Sequence, residues 1–461
     1  MAWLAWINQF IITPAVPVCL MGAGLWYGGV LRFFWLRSPR ILWRVLLHPA
    51  AKEGVSPASA MTVALAGTLG VGNIVGVASA IVLGGPGAIF WMWVSALCAM
   101  VLKYAEITLA LRHRRQTADG QMLGGAMYYI ADCAAEGRLG RRGGRVIGSI
   151  FAILCLINGL TMGSVIQVRA VSSAFGEMAG VPPLAVGLGM AALTLPALRR
   201  GMEGVAKLTE RLIPLASAAY VIVSLLALVR LRAGIPAAFA AIFGSAFTPS
   251  GAAGGVVGFL LSRSVRFGTM RGLLSNEAGC GTAPTAHAES SARCPAEQGV
   301  WGIVEVFVDT ILLCTMTALV ILASGVEPTG MDGMLLTLDA YTAAIGSSAG
   351  WFLSLSILVF AYATVLCWAH YGRSCMRWFG EGKGGGIFFY LIYAASISIG
   401  SVAAPDAIWQ VADFSLGTMT LINLFALCLL MPEVKAETDA LLHTHGVQKR
   451  GTSGRECSSG R

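Results

Sequence analysis

Charge is what this sequence has least of. Only 12% of its 461 residues are Asp, Glu, Lys or Arg, against about 25% in a soluble domain. With 56% hydrophobic residues, that scarcity excludes an ordinary soluble fold and points to an all-α polytopic membrane protein. No Lys or Arg precedes Arg32, so the charged front of a cleaved signal peptide is missing and the first apolar stretch reads as a retained span. The eleven cysteines are scattered with no CxxC pair, which favours free thiols over disulfides or a zinc site. Neither a GxxxxGKS/T phosphate loop nor an HExxH pair occurs, so ATP-driven transport by this chain alone and zinc proteolysis have no support. No nucleophile–base pair marks a membrane enzyme. Energy for any transport would come from an ion gradient.

What charge there is lies mostly between apolar runs. Windows of about 20 apolar residues give eleven spans, at 11–33, 57–83, 88–111, 146–175, 184–198, 212–229, 251–288, 300–323, 350–371, 386–404 and 414–431. The seventh is broken by a polar stretch, and the residues before it, 233–262, are read as re-entrant or surface-lying. On this layout 25 of the 32 Lys and Arg fall in loops on one side, and only Arg230 and Arg232 fall on the other. The bias places the N-terminus outside and the C-terminus in the cytoplasm of the cell membrane. It explains the net charge of +9 without a nucleic-acid partner, and nothing calls for an obligate protein partner. The tail, 432–461, is polar and reads as disordered.

Two spans carry the chemistry. The uncharged run 54–102 contains Ala-Gly-Thr-Leu-Gly-Val-Gly-Asn-Ile-Val-Gly at 66–76. Each glycine there costs a helix about 1 kcal/mol relative to alanine, so the helix is expected to unwind around Gly70, Gly72 and Asn73. Unwound backbone at membrane depth lines a cavity or is buried in protein, where its carbonyls can meet a cation and its N–H groups a carboxylate. Close helix packing through small residues is the competing reading, but packing does not ask for Asn73. A second interruption reads Ser-Asn-Glu-Ala-Gly-Cys-Gly-Thr-Ala-Pro at 275–284. Each break opens a set of five spans, and an odd number inverts the second set. The expected organisation is therefore one extra N-terminal helix with its loop (1–53), a first five-helix repeat (54–232), a second (233–431) and the tail (432–461), with both breaks meeting near the midplane.

Polar groups at membrane depth are functional candidates. Gln167 reads as a ligand contact or an interhelical hydrogen bond. Glu277 reads as a partner of Arg271, a partner of a cation, or a prop for the break. Asp309 reads chiefly as a structural partner, and Lys103 and Glu106, three apart, read as a pair. Thr364 and Trp368 share one helical face. His370 reads as interfacial, with a proton site as the alternative.

Stretches 67–76 and 84–93, Lys103-Tyr-Ala-Glu106, Met127-Tyr-Tyr-Ile130, 271–284, Asp309-Thr310, Trp368 with Tyr371-Gly372, and Ala412-Asp413 with Asn423 together closely resemble the alanine or glycine:cation symporter family. The resemblance implies a leucine-transporter-like fold and Na⁺-coupled symport of a small neutral amino acid such as alanine or glycine. It carries substrate contacts onto Gly70, Gly72, Asn73, Gln167, Asn276 and Trp368. It carries a Na⁺ site onto the carbonyls of Ala66 and Leu69 and the Thr364 hydroxyl. Ala126, Cys280 and His370-Tyr-Gly-Arg373 depart from the family's usual pattern. A proton-coupled or glutamine- or D-alanine-selective symporter of the same fold and, from another class, an ion channel are the rival expectations.

Overall fold

The computed structural model describes residues 2–47, 54–117, 122–137, 140–198, 201–247, 262–328, 333–380, 385–403 and 405–447. Its helices, in chain order, are α1 (Trp3–Val30), α2 (Pro57–Thr68), α3 (Val75–Gly84), α4 (Gly87–Arg112), α5 (Ala126–Glu136), α6 (Gly140–Ala179), α7 (Pro183–Leu198), α8 (Gly201–Arg230), α9 (Ile235–Ala246), α10 (Arg263–Asn276), α11 (Pro284–Ala288), α12 (Pro295–Ser324), α13 (Gly333–Ile345), α14 (Ser348–Trp378), α15 (Gly385–Gly400) and α16 (Pro405–Val447). Two short helices, Phe34–Arg37 and Pro39–Leu47, lie between α1 and α2, and a small hairpin pairs Arg115–Gln116 with Met122–Leu123. Among the described residues seven helices, α1, α4, α6, α8, α12, α14 and α16, are long and apolar enough to cross a membrane. The spans expected at 184–198 and 386–404 are the 16-residue helices α7 and α15, each about 24 Å long.

Two of the expected spans are each made of two short pieces, α2 with α3 and α10 with α11. α2 starts cleanly: Ser56 caps it by accepting from Ser59 N at 3.0 Å, and Pro57 follows at the first helical position, where its missing N–H is harmless. Ser262 caps α10 in the same way, accepting from Val265 N at 3.4 Å. The two broken segments run antiparallel. Ser264 Oγ near the start of α10 donates to Gly84 O at the end of α3, at 2.7 Å. At the other end, Ser291 N just past α11 donates to Val55 O just before α2, also at 2.7 Å. The breaks therefore fall side by side in mid-bundle.

α4 is the post on which both segments lean. It is buried without interruption from Cys98 to Leu111, Lys103 and Glu106 included. It packs on α1, α10 and α12. Contact with α12 is backbone-close because Gly299 stands there: a Cβ would lie 2.5 Å from Thr108 Oγ1 and 2.8 Å from the Tyr104 ring.

Three expectations need correction or completion. Lys103 does not pair with Glu106. Its Nζ lies 2.9 Å from Glu305 on α12 and 2.8 Å from Asn276 O at the end of α10. Glu106 turns the other way because Gly281 N and Asn423 Nδ2 reach it first, at 2.8 and 2.5 Å. The stretch 432–461 is not disordered from its start as expected, since α16 continues through 432–447. Val434 and Leu441 are buried on it, and Thr438 bonds Tyr104 at 2.7 Å; residues 448–461 lie outside the described residues. Within 233–262, residues 235–246 form the apolar helix α9 against α4 and α12, whereas 248–261 lie outside the described residues.

Candidate functional site

At the first break the chain leaves the helix at Leu69 (φ −73°, ψ 78°), passes Gly70 (φ −131°, ψ −147°), makes one 3₁₀ turn over Val71–Asn73 and re-enters at α3. Gly70 is required by space rather than by conformation. A Cβ there would sit 2.8 Å from both Gln167 Oε1 and Thr364 Oγ1. Leaving the helix strips the carbonyls near the end of α2 of their usual partners, because Gly70 N now serves Thr68 O at 2.9 Å and Asn73 Oδ1 at 3.2 Å. Thr364 on α14 meets those carbonyls: its Oγ1 is 2.9 Å from Ala66 O, 3.4 Å from Leu69 O and 3.0 Å from Phe360 O. One hydroxyl proton can serve only one of three carbonyls at a time. The cluster is rich in oxygen and poor in donors, the chemistry that suits a hard cation.

At the second break Glu277 adopts a left-handed conformation (φ 52°) and two glycines with positive φ, Gly279 and Gly281, carry the chain to α11. The breaks touch, since a Cβ on Gly72 would lie 3.1 Å from Ser275 Cα. Asp309 joins them. It lies in a π-helical stretch of α12, Phe307–Cys314, the kind of bulge that re-aims side chains at functional positions. Asp309 Oδ1 accepts from Asn73 Nδ2 at 2.7 Å, and Oδ2 accepts from Ser275 Oγ at 2.8 Å and Thr310 Oγ1 at 2.7 Å. Asn276 Nδ2 in turn donates to Thr310 Oγ1 at 3.0 Å. A second π stretch, Thr161–Ile166 in α6, ends at Gln167, whose Oε1 accepts from Val71 N at 3.2 Å.

A cavity of about 250 Å³ opens beside the first break. Gly70, Gly72 and Gln167 form its inner wall, and Met162 and Leu274 supply apolar surface. Arg271 and Trp409 also line it, with the guanidinium 5.2 Å from the indole centroid, a cation–π distance.

Of the nine residues expected at the site, three face this cavity: Gly70, Gly72 and Gln167. Ala66, Leu69 and Thr364 come together as one oxygen cluster. Asn73, Asn276 and Trp368 are buried behind the wall. Asn73 is spent on Asp309 and Ser275, Asn276 on Thr310 and Ala278 N, and Trp368 Nε1 donates to Glu277 Oε1 at 3.1 Å. Glu277 thus pairs with the indole and with Thr282 (2.7 Å), not with Arg271. Sequence reasoning missed the role of Arg271 and Trp409 on the cavity wall, and that of Thr317, which donates to Asn73 O at 2.8 Å. A cationic residue inside the broken span 251–288 was the signal for Arg271; Trp409 lies between the expected spans 386–404 and 414–431, and nothing distinguishes it or Thr317 in the sequence.

Comparison with known proteins converges on one family. The chain matches the profile of the sodium:alanine symporter family over residues 1–453. It is 36% identical over 445 residues to the uncharacterized transporter YflA of Bacillus subtilis, covering 95% of this chain and 92% of that one. It is 34% identical over 443 residues to the sodium/alanine symporter AgcS of Methanococcus maripaludis, covering 94% and 95%. It is 34% identical over 429 residues to the probable sodium/glutamine symporter GlnT of Bacillus subtilis, covering 92% and 87%. Among solved structures, MhsT in complex with L-phenylalanine shares the fold, with a TM-score of 0.56, 15% identity and coverage of 85% of this chain and 93% of that one. That is a leucine-transporter-type fold, reached here through the paired helix breaks rather than through sequence identity. The chain is a multi-pass membrane transporter, not an enzyme, and it belongs to the sodium:alanine symporter family.

Proposed function

We propose that this protein carries a small neutral amino acid, alanine or glycine, inward together with Na⁺ by alternating access. One observation bears most of the weight: the helix stops at Thr68, and the carbonyls of Ala66 and Leu69 converge on Thr364 beside a cavity walled by Gly70, Gly72 and Gln167. Na⁺ would lie among the three oxygen groups, next to the substrate. The substrate carboxylate would meet backbone N–H groups of the first break, and its ammonium would meet carbonyls and the Gln167 amide oxygen. Behind the wall, Asn73 and Asn276 hold the loops that shape it, and Trp368 braces the second break through Glu277. Occupancy by ion and substrate stabilises the closed state, so import follows the ion gradient.

Eleven spans, arranged as one N-terminal helix and two inverted sets of five, fit the antiparallel course of the two broken segments. The basic loops support an N-terminus outside and a C-terminus in the cytoplasm. On that orientation the cavity, walled by the Gly70–Leu83 half of its segment, faces outward.

The test is uptake of labelled alanine into proteoliposomes with and without an inward Na⁺ gradient. Uptake should depend on Na⁺ and be competed by glycine; Na⁺-independent uptake would remove the coupling. The relationship to GlnT supports including glutamine in the competition panel, together with D-alanine. Preferred competition by glutamine would replace the substrate and leave the mechanism.

A further inference from the structure

We propose that Glu106 is a proton-binding site beneath the second break, separate from the oxygen cluster at the first. One lysine and four carboxylic acids meet around this break, Lys103, Glu106, Glu277, Glu305 and Asp309, each 0% exposed. Lys103 neutralises one carboxylate, Glu305, at 2.9 Å, and Glu305 also faces His287 at 3.4 Å. Three carboxylates remain without a salt bridge, although the Lys103 charge also acts on Glu106 and Glu277. A buried carboxylate survives ionised only if donors satisfy its oxygens. Asp309 has Asn73, Ser275 and Thr310; Glu277 has Trp368 on one oxygen and Thr282 on the other. Glu106 differs. Its Oε1 takes both donors, Gly281 N and Asn423 Nδ2, and its Oε2 has no hydrogen-bond partner among the described residues.

That bare oxygen calls for a positive charge of its own. Sodium needs several oxygen ligands at once, and only one oxygen is free here, with N–H groups filling the other side. A proton needs one oxygen. It adds to Oε2, an O–H bond forms, and the buried negative charge is removed with no change of oxidation state. Glu106's other ionisable neighbours are Lys103 on its own helix, Tyr27 on α1, Tyr129 on α5 and, at the second break, Cys280. Tyr27 and Tyr129 are committed elsewhere, to Leu427 O and Asn423 Oδ1 at 2.5 Å each, so neither supplies the proton's counterpart.

The site is placed to exchange its proton during transport, a step that rests on the alternating-access reading above. Both donors to Oε1 come from other segments, Gly281 from the turn after α10 and Asn423 from α16, and Asn423 also holds Gly279 O at 2.9 Å. Movement of this turn admits water, which takes the proton from Oε2 and hydrogen-bonds the carboxylate left behind in place of any donor that moves away.

Infrared spectroscopy of the purified full chain in lipid tests the site without any substrate. At neutral pH the wild type should show the carbonyl stretch of a protonated carboxylic acid. Glu106→Gln should abolish it, while Glu277→Gln and Asp309→Asn should leave it. Absence of the band in the wild type, or its survival in Glu106→Gln, overturns the proposal; the wild-type reading needs no folded variant. In proteoliposomes containing a pH-sensitive dye, alanine with Na⁺ should drive a pH change in the wild type, and Glu106→Gln should lower that change at least tenfold. A pH change undiminished in Glu106→Gln overturns the exchange. Should the amino-acid reading itself be wrong, no uptake is seen, but the infrared band still decides the site.

Discussion

At the first break, backbone groups end against a hydroxyl, an amide and a cavity; at the second they end against the protein's own charged side chains. The first is left short of donors around Thr364. The second is filled: Lys103 Nζ caps Asn276 O, Glu106 caps Gly281 N, and Asn423 caps Gly279 O. A helix break in apolar surroundings frees groups that must be satisfied. This chain satisfies one break with its own side chains and leaves the other for ligands that come and go. The filled break holds its backbone through the chain's own side chains, and the unfilled one turns ligand binding into conformational free energy.

The largest effect that sharpens this contrast falls on the filled break. Lys103→Met leaves Glu305 buried beside no cation and Asn276 O without its donor, a loss of about 3–5 kcal/mol. The expected outcome is low yield and a collapsed melting temperature in detergent. Lys103→Met with Glu305→Leu removes both charges and should recover much of the loss, since replacing a buried pair by apolar groups is often close to neutral. No recovery in the double variant would mean that the loss comes from the missing donor to Asn276 O rather than from the unpaired Glu305.

Next come matched glycine substitutions, one in each break. Gly70→Ala drives a methyl to 2.8 Å from Gln167 Oε1 and Thr364 Oγ1, so uptake should fall at least tenfold, about 1.4 kcal/mol, with the melting temperature little changed. Gly279→Ala has room, its nearest neighbour being Leu424 at 3.5 Å, but it must hold φ +87°. Its cost is backbone strain of about 1 kcal/mol, read as lower stability with uptake largely kept. If both variants behaved alike, the distinction between a binding break and a structural break would fail.

Which parts of this arrangement were legible in the sequence follows from the same contrast. Both breaks could be seen because glycine, asparagine and glutamate in an apolar run conflict with an unbroken helix. Of the residues expected around the first break, Gly70 and Gly72, with Gln167 from α6, line the cavity, whereas Asn73 is buried outside its lining. The partners at the second break were not legible. Local spacing paired Lys103 with Glu106, but Glu305 lies about two hundred residues along the chain, and only packing of α12 on α4 brings it near. The π stretches that aim Asp309 and end at Gln167 leave no composition signal. The length of α16 was hidden because Val434 and Leu441 are sparse among polar residues, and only burial reveals that they anchor the helix.

A smaller effect isolates the oxygen cluster. Thr364→Val keeps the shape and removes the hydroxyl from between Ala66 O, Leu69 O and Phe360 O. The half-saturating Na⁺ concentration should rise about tenfold, equivalent to about 1.4 kcal/mol, with maximal uptake kept at high Na⁺. Thr282→Val, the matched loss at the second break, takes one donor from Glu277 and should leave Na⁺ dependence alone. A shift in Na⁺ dependence with Thr282→Val would put an ion site at the wrong break.

The smallest effect comes from a partly solvated counterpart of the buried ions. Just past α4, His113 lies between Asp132 of α5 (3.0 Å) and Glu433 of α16 (3.2 Å), with 12% of its side chain exposed. Burial alone would lower its pKa, but the two carboxylates outweigh burial and raise it to about 9; Asp132 is held below the usual carboxylate range, against burial, by His113 and Arg115. A histidine whose folded pKa exceeds its unfolded value near 6.5 stabilises the fold fully below that value, and the contribution fades as pH rises through about 9. Because Asp132 and Glu433 are 30% and 24% exposed, solvent screening leaves roughly 1 kcal/mol of this contribution. Melting temperature should therefore decline between neutral pH and about 9 in the wild type, and His113→Gln should flatten that part of the profile. An unchanged slope in His113→Gln would mean that the alkaline loss arises in the buried network, and that the charges of the second break, rather than this exposed cluster, set the molecule's response to pH.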